Sequence, residues 1–381
     1  MTASTAMAKA RTNLRDHAIA RTLFPETTLP RALARLPFVQ ADPIRAPARA
    51  QDLVLRQRVA GYLAGDLEAR YPRLPIEEDF FVNYGFVSRA LHEVMHPRRA
   101  RTAWSAARWR VAREVQAFVR ERRVVHPREV DLHFAHGKAR TWFGGTSKAT
   151  TQLLDGMHYR GLLRVVRRES GTRCYGAHDA GDRSPPTDPG AAIDTLIDTA
   201  VATYAPLPAV TLGLLVSAIA RGAVPQWWDL RSAALTRARA RLPNAVVEGT
   251  RWFWPAGEDP GAPRHRLRAE EEESRVRLLA PFDPLVWDRR RFEIFWGWAY
   301  RFEAYVPAAK RRLGYYALPL LYRSEVLGWA NLTTAEGRLA SEGGFVSGHA
   351  PRDRVFRRAL EEELDRMAAF LRLERTRRGR A

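Results

Sequence analysis

The chain has 381 residues, 46% of them hydrophobic, and its 62 Lys and Arg against 42 Asp and Glu leave a formal charge of +20 at pH 7. That length suits two or three domains with cores of their own, and the apolar share excludes a disordered polybasic chain. The single cysteine, Cys174, excludes an internal disulfide and a cysteine-built zinc site, in keeping with a reducing cytoplasm.

The excess charge suits a polyanion, whether DNA, RNA or an anionic membrane surface. Lys occurs only at positions 9, 138, 148 and 310, so the charge is almost entirely arginine and also fits a basic composition with no ligand behind it. The first residues lack the apolar core of a signal peptide. The most apolar stretch, 207–219, is too short for a bilayer and opens among prolines, so a buried helix and no membrane association are expected.

From Leu14 to about Leu63 the pattern is helical in two pieces. The first ends near Pro25 and Pro30, and the second is broken by the extended PFVQADP, residues 37–43, before a helix expected from Pro47 onward. Helical turns around a short extended segment fit a helix-turn-helix with a wing. Residues 79–123 carry the longest helical signal, with apolar residues at threes and fours. The order on to about residue 180 is helix, turn, helix, then two strands joined at Ser170-Gly171, the length of one winged-helix unit. A linker rich in Gly, Pro and Asp, 176–192, leads to a comparable unit: helices near 191–203, 212–220 and 230–241, then strands at 245–250 and 251–257. After a second linker and the acidic run Glu270 to Glu273, read as a solvated helical face, short aromatic and branched runs predict a small antiparallel β domain. A final helix closes the chain, whose last residues, 373–381, are expected to be a loose tail. The fold class is therefore α+β.

Gln40 and Asp42 are two apart in an extended segment, which puts both side chains on one face, where a carboxylate beside an amide can hold and activate a water. Asp42 before Pro43 is equally an ordinary cap for the helix that follows. The run LHEVMHP matches the zinc-hydrolase pattern, with His92 and His96 one turn apart and Glu93 as general base. Pro97, however, should end that helix, and the third ligand is no more than a candidate at Glu114. In the C-terminal domain Arg289 to Arg291 and Lys310 to Arg312 sit among aromatics. They read either as phosphate contacts beside stacking rings or as basic turns on a β-barrel core. Two winged-helix patterns with a basic balance put DNA first, with a protein-binding winged helix as the alternative. The phosphate-contact candidates are Arg45, Arg49, Lys148, Arg289, Lys310, Arg311 and Arg312, with Trp142 and Trp287 as wall or stacking residues.

With these residues in hand, the chain resembles the YcaQ and AlkZ family of winged-helix DNA glycosylases, and more closely its YcaQ-like branch. The resemblance runs from about Leu14 to Leu332 and is most specific over 280–332, APFDPLVWDRRRFEIFWGWAYRFEAYVPAAKRRLGYYALPLLYRSEVLGWANL. The family signature of Gln, an apolar residue, then Gln or Asp matches Gln40, Ala41 and Asp42. It implies tandem winged-helix units around a C-shaped DNA-binding cleft: one in 1–78 with the Gln-x-Asp motif, one with the helical block in 79–180, one in 190–257, and a small β-barrel with the terminal helix in 270–381. It also implies a monofunctional glycosylase that hydrolyses the N-glycosidic bond of alkylated purines in duplex DNA, with interstrand crosslinks among family substrates. Asp42 would deprotonate the water and Gln40 hold it, with no cofactor or metal. The expected partner is alkylated double-stranded DNA, met by a monomer near the nucleoid in the cytoplasm. Ala41 is smaller than the usual residue, Pro43 stands where the family often has Thr, and 80–97 replaces a stretch that typically holds Glu-Tyr-Trp-Ala-His. These departures imply an altered lesion range, and a non-catalytic winged-helix DNA-binding protein is the second reading.

Overall fold

A computed structural model describes residues 3–134, 138–140, 146–262 and 274–375. Trp142, the Lys148 side chain, the acidic run 270–273 and the tail from 376 lie outside the described residues. The chain is mixed α and β and divides into two compact units. The first comprises Met1–Leu67, Val201–Leu212 and Arg241–Ala381, and the second Glu68–Ala200 with Gly213–Ala240. No helix of the described residues is long and apolar enough to cross a membrane.

The first unit joins the two ends of the chain. On helix Ala3–Thr22, Leu14, Ala18 and Ile19 recur at helical spacing, and with Leu23 they enter one core with Trp252, Leu279, Leu285, Phe292, Phe295 and Tyr300. Trp252 stacks on Phe295 with centroids 5.3 Å apart. A fully buried ion pair crosses this region. Arg58 donates to both oxygens of Asp283 at 2.8 and 3.0 Å and also to the Thr22 and Val54 carbonyls. A buried arginine is tolerable only when its fork is satisfied in this way. The hairpin Asn244–Val247 and Thr250–Phe253 turns through Glu248 and Gly249, both at positive φ, and pairs onward with Leu207–Pro208.

The C-terminal strands form a five-stranded sheet in chain order: Val276–Leu278, Leu318–Tyr322, Glu325–Ala335, Arg338–Phe345 and Glu374–Arg375. Among the described residues this sheet is open, where a closed barrel was expected. The reason is side-chain capping of its first edge by helix Arg354–Leu371 and its neighbours. The Leu278 N–H donates to Glu363 at 2.9 Å, the Leu278 carbonyl accepts from Gln57 at 3.1 Å, and the Val276 carbonyl accepts from Arg366 at 3.1 Å. Edge groups satisfied this way do not need a closing strand. Glu363 is itself buried and bidentate with Arg56 at 2.9 and 3.2 Å. Burial pushes its carboxyl up, but Arg56 and Arg366 outweigh that and hold it at about 2.

The second unit opens with the hairpin Ile76–Phe80 and Tyr84–Ser88 and the short helix Arg89–Met95. Helices Ala106–Arg122, Pro127–Phe134 and Ala149–Tyr159 follow, then the hairpin Leu163–Glu169 and Thr172–Ala177. That hairpin turns at Ser170 and Gly171, both at positive φ. Ser105 caps helix Ala106–Arg122 through the Arg108 N–H, and its buried face carries Ala112, Val115 and Val119.

Candidate active site

The strand Phe38–Gln40 is buried along its length and ends at Gln40. Pro43 and Pro47 keep the following residues out of a helix, and helix Ala50–Leu55 starts three residues later than expected, after Arg49. Asp42 therefore lies in a turn. Its Oδ1 accepts from the Ile44 N–H at 2.8 Å, and its own N–H donates to Gln51 Oε1 at 3.5 Å. This Asx turn does not start a helix. The second carboxylate oxygen accepts no hydrogen bond from a described group. Burial pushes the carboxyl above its ordinary value, partly offset by the Ile44 N–H. Two residues upstream, the buried Gln40 has an Oε1 with no donor among the described residues.

Tyr305 and Tyr316 lie close enough to Asp42 to feel its charge. Burial first and the Asp42 charge second raise the Tyr316 phenol well above its ordinary value, and the same causes act on the exposed Tyr305. Tyr316 is buried, and its hydroxyl has no partner among the described residues. Asn331 shapes the turn that carries it, donating to the Leu313 carbonyl at 2.6 Å and accepting from the Tyr316 N–H at 3.3 Å. Gly314 between them sits at φ +110°, and a Cβ there would fall 2.4 Å from the Asn331 amide. Glu303 accepts the Arg312 and Leu313 N–H groups at 2.8 and 2.7 Å, which presents Lys310 and Arg312 outward.

The other candidate contacts are placed unevenly. Arg45 is exposed, whereas Arg49 is half-buried and its charge acts on Asp52. Arg311 donates to the Val306 carbonyl at 2.8 Å and lies over the Tyr315 ring. Arg289 is committed inside the unit, donating to the Val286 carbonyl with its guanidinium 4.5 Å from the Tyr300 centroid. Trp287 packs on Tyr204 at 4.6 Å.

The histidine motif is a different object from a zinc hydrolase site. Helix Arg89–Met95 ends before His96, as Pro97 requires. Glu93 is exposed and faces Arg183 at 3.8 Å, and Glu114 is exposed on another helix. His92 and His96 instead converge on buried Asp79, at 3.5 and 2.9 Å. These three are the group of described residues close enough to share an ion. Arg98, however, already donates to both Asp79 oxygens at 2.7 and 3.0 Å. Burial raises the Asp79 carboxyl, and Arg98 with His96 drives it well below its usual range. Burial holds both imidazoles below theirs, as neutral rings. Among the described residues this is a hydrogen-bonded charge network, and Glu93, the expected base, is turned to Arg183 instead.

Sequence reasoning did not find Gln51, Tyr316 or Asn331. Their tyrosine or amide identity was visible, but nothing local signals that Gln51 reaches back nine residues or that Tyr316 lies by Asp42.

The family described as "DNA glycosylase AlkZ-like" matches residues 33–370. The solved structure of the Streptomyces sahachiroi DNA glycosylase AlkZ is similar in fold, with a TM-score of 0.60 at 14% identity over 97% of this chain and 98% of that one.

Proposed function

The chain belongs to the AlkZ-like DNA glycosylase family, and from that premise we propose that it hydrolyses the N-glycosidic bond of alkylated purines, interstrand crosslinks among them, in duplex DNA. One observation carries the reading. Asp42 anchors one oxygen on the Ile44 N–H and leaves the other open, two residues from a buried Gln40 carbonyl oxygen that lacks a donor. Two such acceptors take both protons of one water and leave its lone pair for the sugar carbon.

In the proposed step the water oxygen bonds to C1′ as the C1′–N bond breaks. The bonding pair goes to the purine, where it cancels the positive charge of the alkylated ring, and the proton goes to Asp42. A base that leaves neutral needs no general acid, and the Asp42 anion also opposes the positive charge that builds on the sugar. The step balances with water alone, so neither a metal nor an amine nucleophile enters it. DNA runs along Arg45, Arg49 and the 301–316 segment with Lys310, Arg311 and Arg312. Lys148, Trp142 and Trp287 are further contacts in a cleft built from tandem winged-helix units, Arg289 being withheld from DNA by the Val286 carbonyl and the Tyr300 ring, and the protein acts as a monomer on nucleoid DNA in the cytoplasm.

The test is mass analysis of bases freed from alkylated duplex DNA. Release of 7-alkylguanine as free base is expected. Protein that binds this DNA and frees no base would instead be the non-catalytic DNA-binding protein of the second reading.

A further inference from the structure

The second unit holds a set of arginines that its own carboxylates leave unpaired. Four other arginines of this unit are matched, Arg120 with Asp179, Arg167 with Glu169, Arg173 with Asp155 and Arg237 with Asp194, while exposed arginines such as Arg110, Arg128 and Arg239 stand apart with no described carboxylate. Arg99, Arg101, Arg221 and Arg231 form no ion pair with a described carboxylate; Arg231 donates instead to the Trp228 carbonyl at 3.0 Å.

Three of these four gather on one indole. The guanidinium carbons of Arg231, Arg101 and Arg221 lie 4.1, 5.5 and 5.7 Å from the Trp228 ring centroid. Trp228 sits in the 3-10 helix Pro225–Leu230, between the end of helix Ala209–Gly222 and the start of helix Arg231–Arg241. The fourth element, residues 97–101, is pinned beside it by Gln226, which donates to the Pro97 carbonyl at 3.1 Å and accepts from the Arg99 N–H at 3.3 Å. Arg99 also lines a cleft of about 400 Å³ in the same unit with Trp104, Trp109, Arg113, Arg160 and Arg183. There the pattern repeats, because Arg160 and Arg108 lie 3.8 and 5.0 Å from the Trp104 centroid.

Like charges held this close repel unless an anion joins them, and a ring face that fixes a guanidinium lowers the entropy lost when its N–H edge binds phosphate. We propose that Arg99, Arg101, Arg221 and Arg231, arrayed on and beside Trp228, form a DNA contact surface of the second unit that grips the phosphates of undamaged duplex. The choice of DNA as the polyanion rests on the glycosylase reading; the phosphate chemistry does not.

The test uses the full chain and undamaged duplex DNA, with affinity measured against salt. The combined variant Arg101→Gln, Arg221→Gln and Arg231→Gln should bind at least tenfold more weakly at about 0.1 M salt. Its log-affinity against log-salt slope should flatten by about 0.9 for each phosphate that is no longer neutralised. Trp228→Leu, with every arginine kept, should lose affinity with little change of slope, because it removes the alignment and not the charge. An unchanged slope and affinity in the triple variant, with its unfolding temperature preserved, would overturn the proposal and leave the patch to an acidic protein partner. If wild type frees no base from alkylated DNA while these slopes change as stated, the activity reading falls and this surface stands. If base release is seen and the slopes do not move, the reverse holds.

Discussion

Asp42→Asn isolates the proposed base from the turn that holds it. Asn keeps an Oδ1 acceptor for the Ile44 N–H, now 2.8 Å away, and changes only the open oxygen, from an acceptor into an amide donor. The variant therefore loses the group that takes the proton of the water and keeps the local backbone. General-base assistance contributes on the order of 10²–10⁴ in rate, which corresponds to about 3–5 kcal/mol of activation free energy. Single-turnover release of 7-alkylguanine from duplex DNA, with protein in excess, should slow by that factor, while affinity for the same duplex changes by less than about threefold. Because burial raises the Asp42 pKa, the wild-type rate should begin to fall at a pH above the ordinary carboxylate value as the medium is acidified, and the variant should show no such limb. A carboxyl whose pKa is higher in the folded chain binds its proton more tightly there, so ionising it at neutral pH costs stability. The variant should accordingly unfold at a temperature no lower than wild type. A variant that keeps its rate within a few fold, or that loses affinity in step with rate, would refute the role given to this carboxylate.

The remaining expectations concern the frame. Glu363→Ala strips Arg56 of its buried partner and leaves the Leu278 N–H unpaired, so it should cost about 3–5 kcal/mol in urea unfolding. Since the folded pKa of Glu363 is about 2 against an ordinary 4.5, its contribution is whole above 4.5 and lost as pH falls towards 2. A variant whose stability falls as steeply with acid as wild type would contradict this. Asp79→Ala leaves Arg98 buried and unpaired and should cost about 3–5 kcal/mol. Chelation of wild type with EDTA should shift neither unfolding temperature nor base release, and a shift in either would return the His92 and His96 cluster to metal chemistry. Gly314→Ala forces a Cβ into the Asn331 amide at a positive φ, so it should destabilise by about 1–3 kcal/mol and slow base release by disturbing the turn that carries Tyr316. Unchanged rate and melting would detach this turn from the site.

What the chain reveals locally was legible. The Ser170-Gly171 turn and the arrest of a helix before Pro97 follow from neighbours a few residues apart, whereas the helical signal expected over 79–123 holds only in Arg89–Met95 and Ala106–Arg122, with Tyr84–Ser88 a strand paired to Ile76–Phe80. Spacing alone left Asp42 between a helix cap and a catalytic group, because both use a short carboxylate before a proline. The Asx turn shows how the carboxylate is held, with one oxygen used and one open. Long-range satisfaction was not legible. The sheet stays open because Glu363, 85 residues from Leu278, caps its edge; helical spacing from Phe356, Ala359 and Met367 puts Glu363 on the buried stripe of its helix, but nothing local says that its partners are Leu278 and Arg56. Arg289 looked like a free turn residue until Tyr300 and the Val286 carbonyl were found to hold it. Likewise the metal-like spacing of His92 and His96 says nothing about Arg98, whose bidentate hold on Asp79 decides what that cluster is.

The core that seats Leu14 and Ile19 against Phe292 and Phe295 has a consequence for how the protein is made. At about 5–20 residues per second, the first helix waits on the order of tens of seconds for its packing partners to leave the ribosome. Meanwhile residues 68–200, most of the second unit, have already emerged and can consolidate. The middle of the chain is thus ready first, and the ends close last, bringing Gln40 and Asp42 to the 301–316 segment only with late synthesis. A message cut short after residue 275 would leave Leu14, Ala18 and Ile19 with Val247 and Trp252 but without Leu279, Leu285, Phe292 and Phe295, a half-built core open to proteolysis and not a partial enzyme.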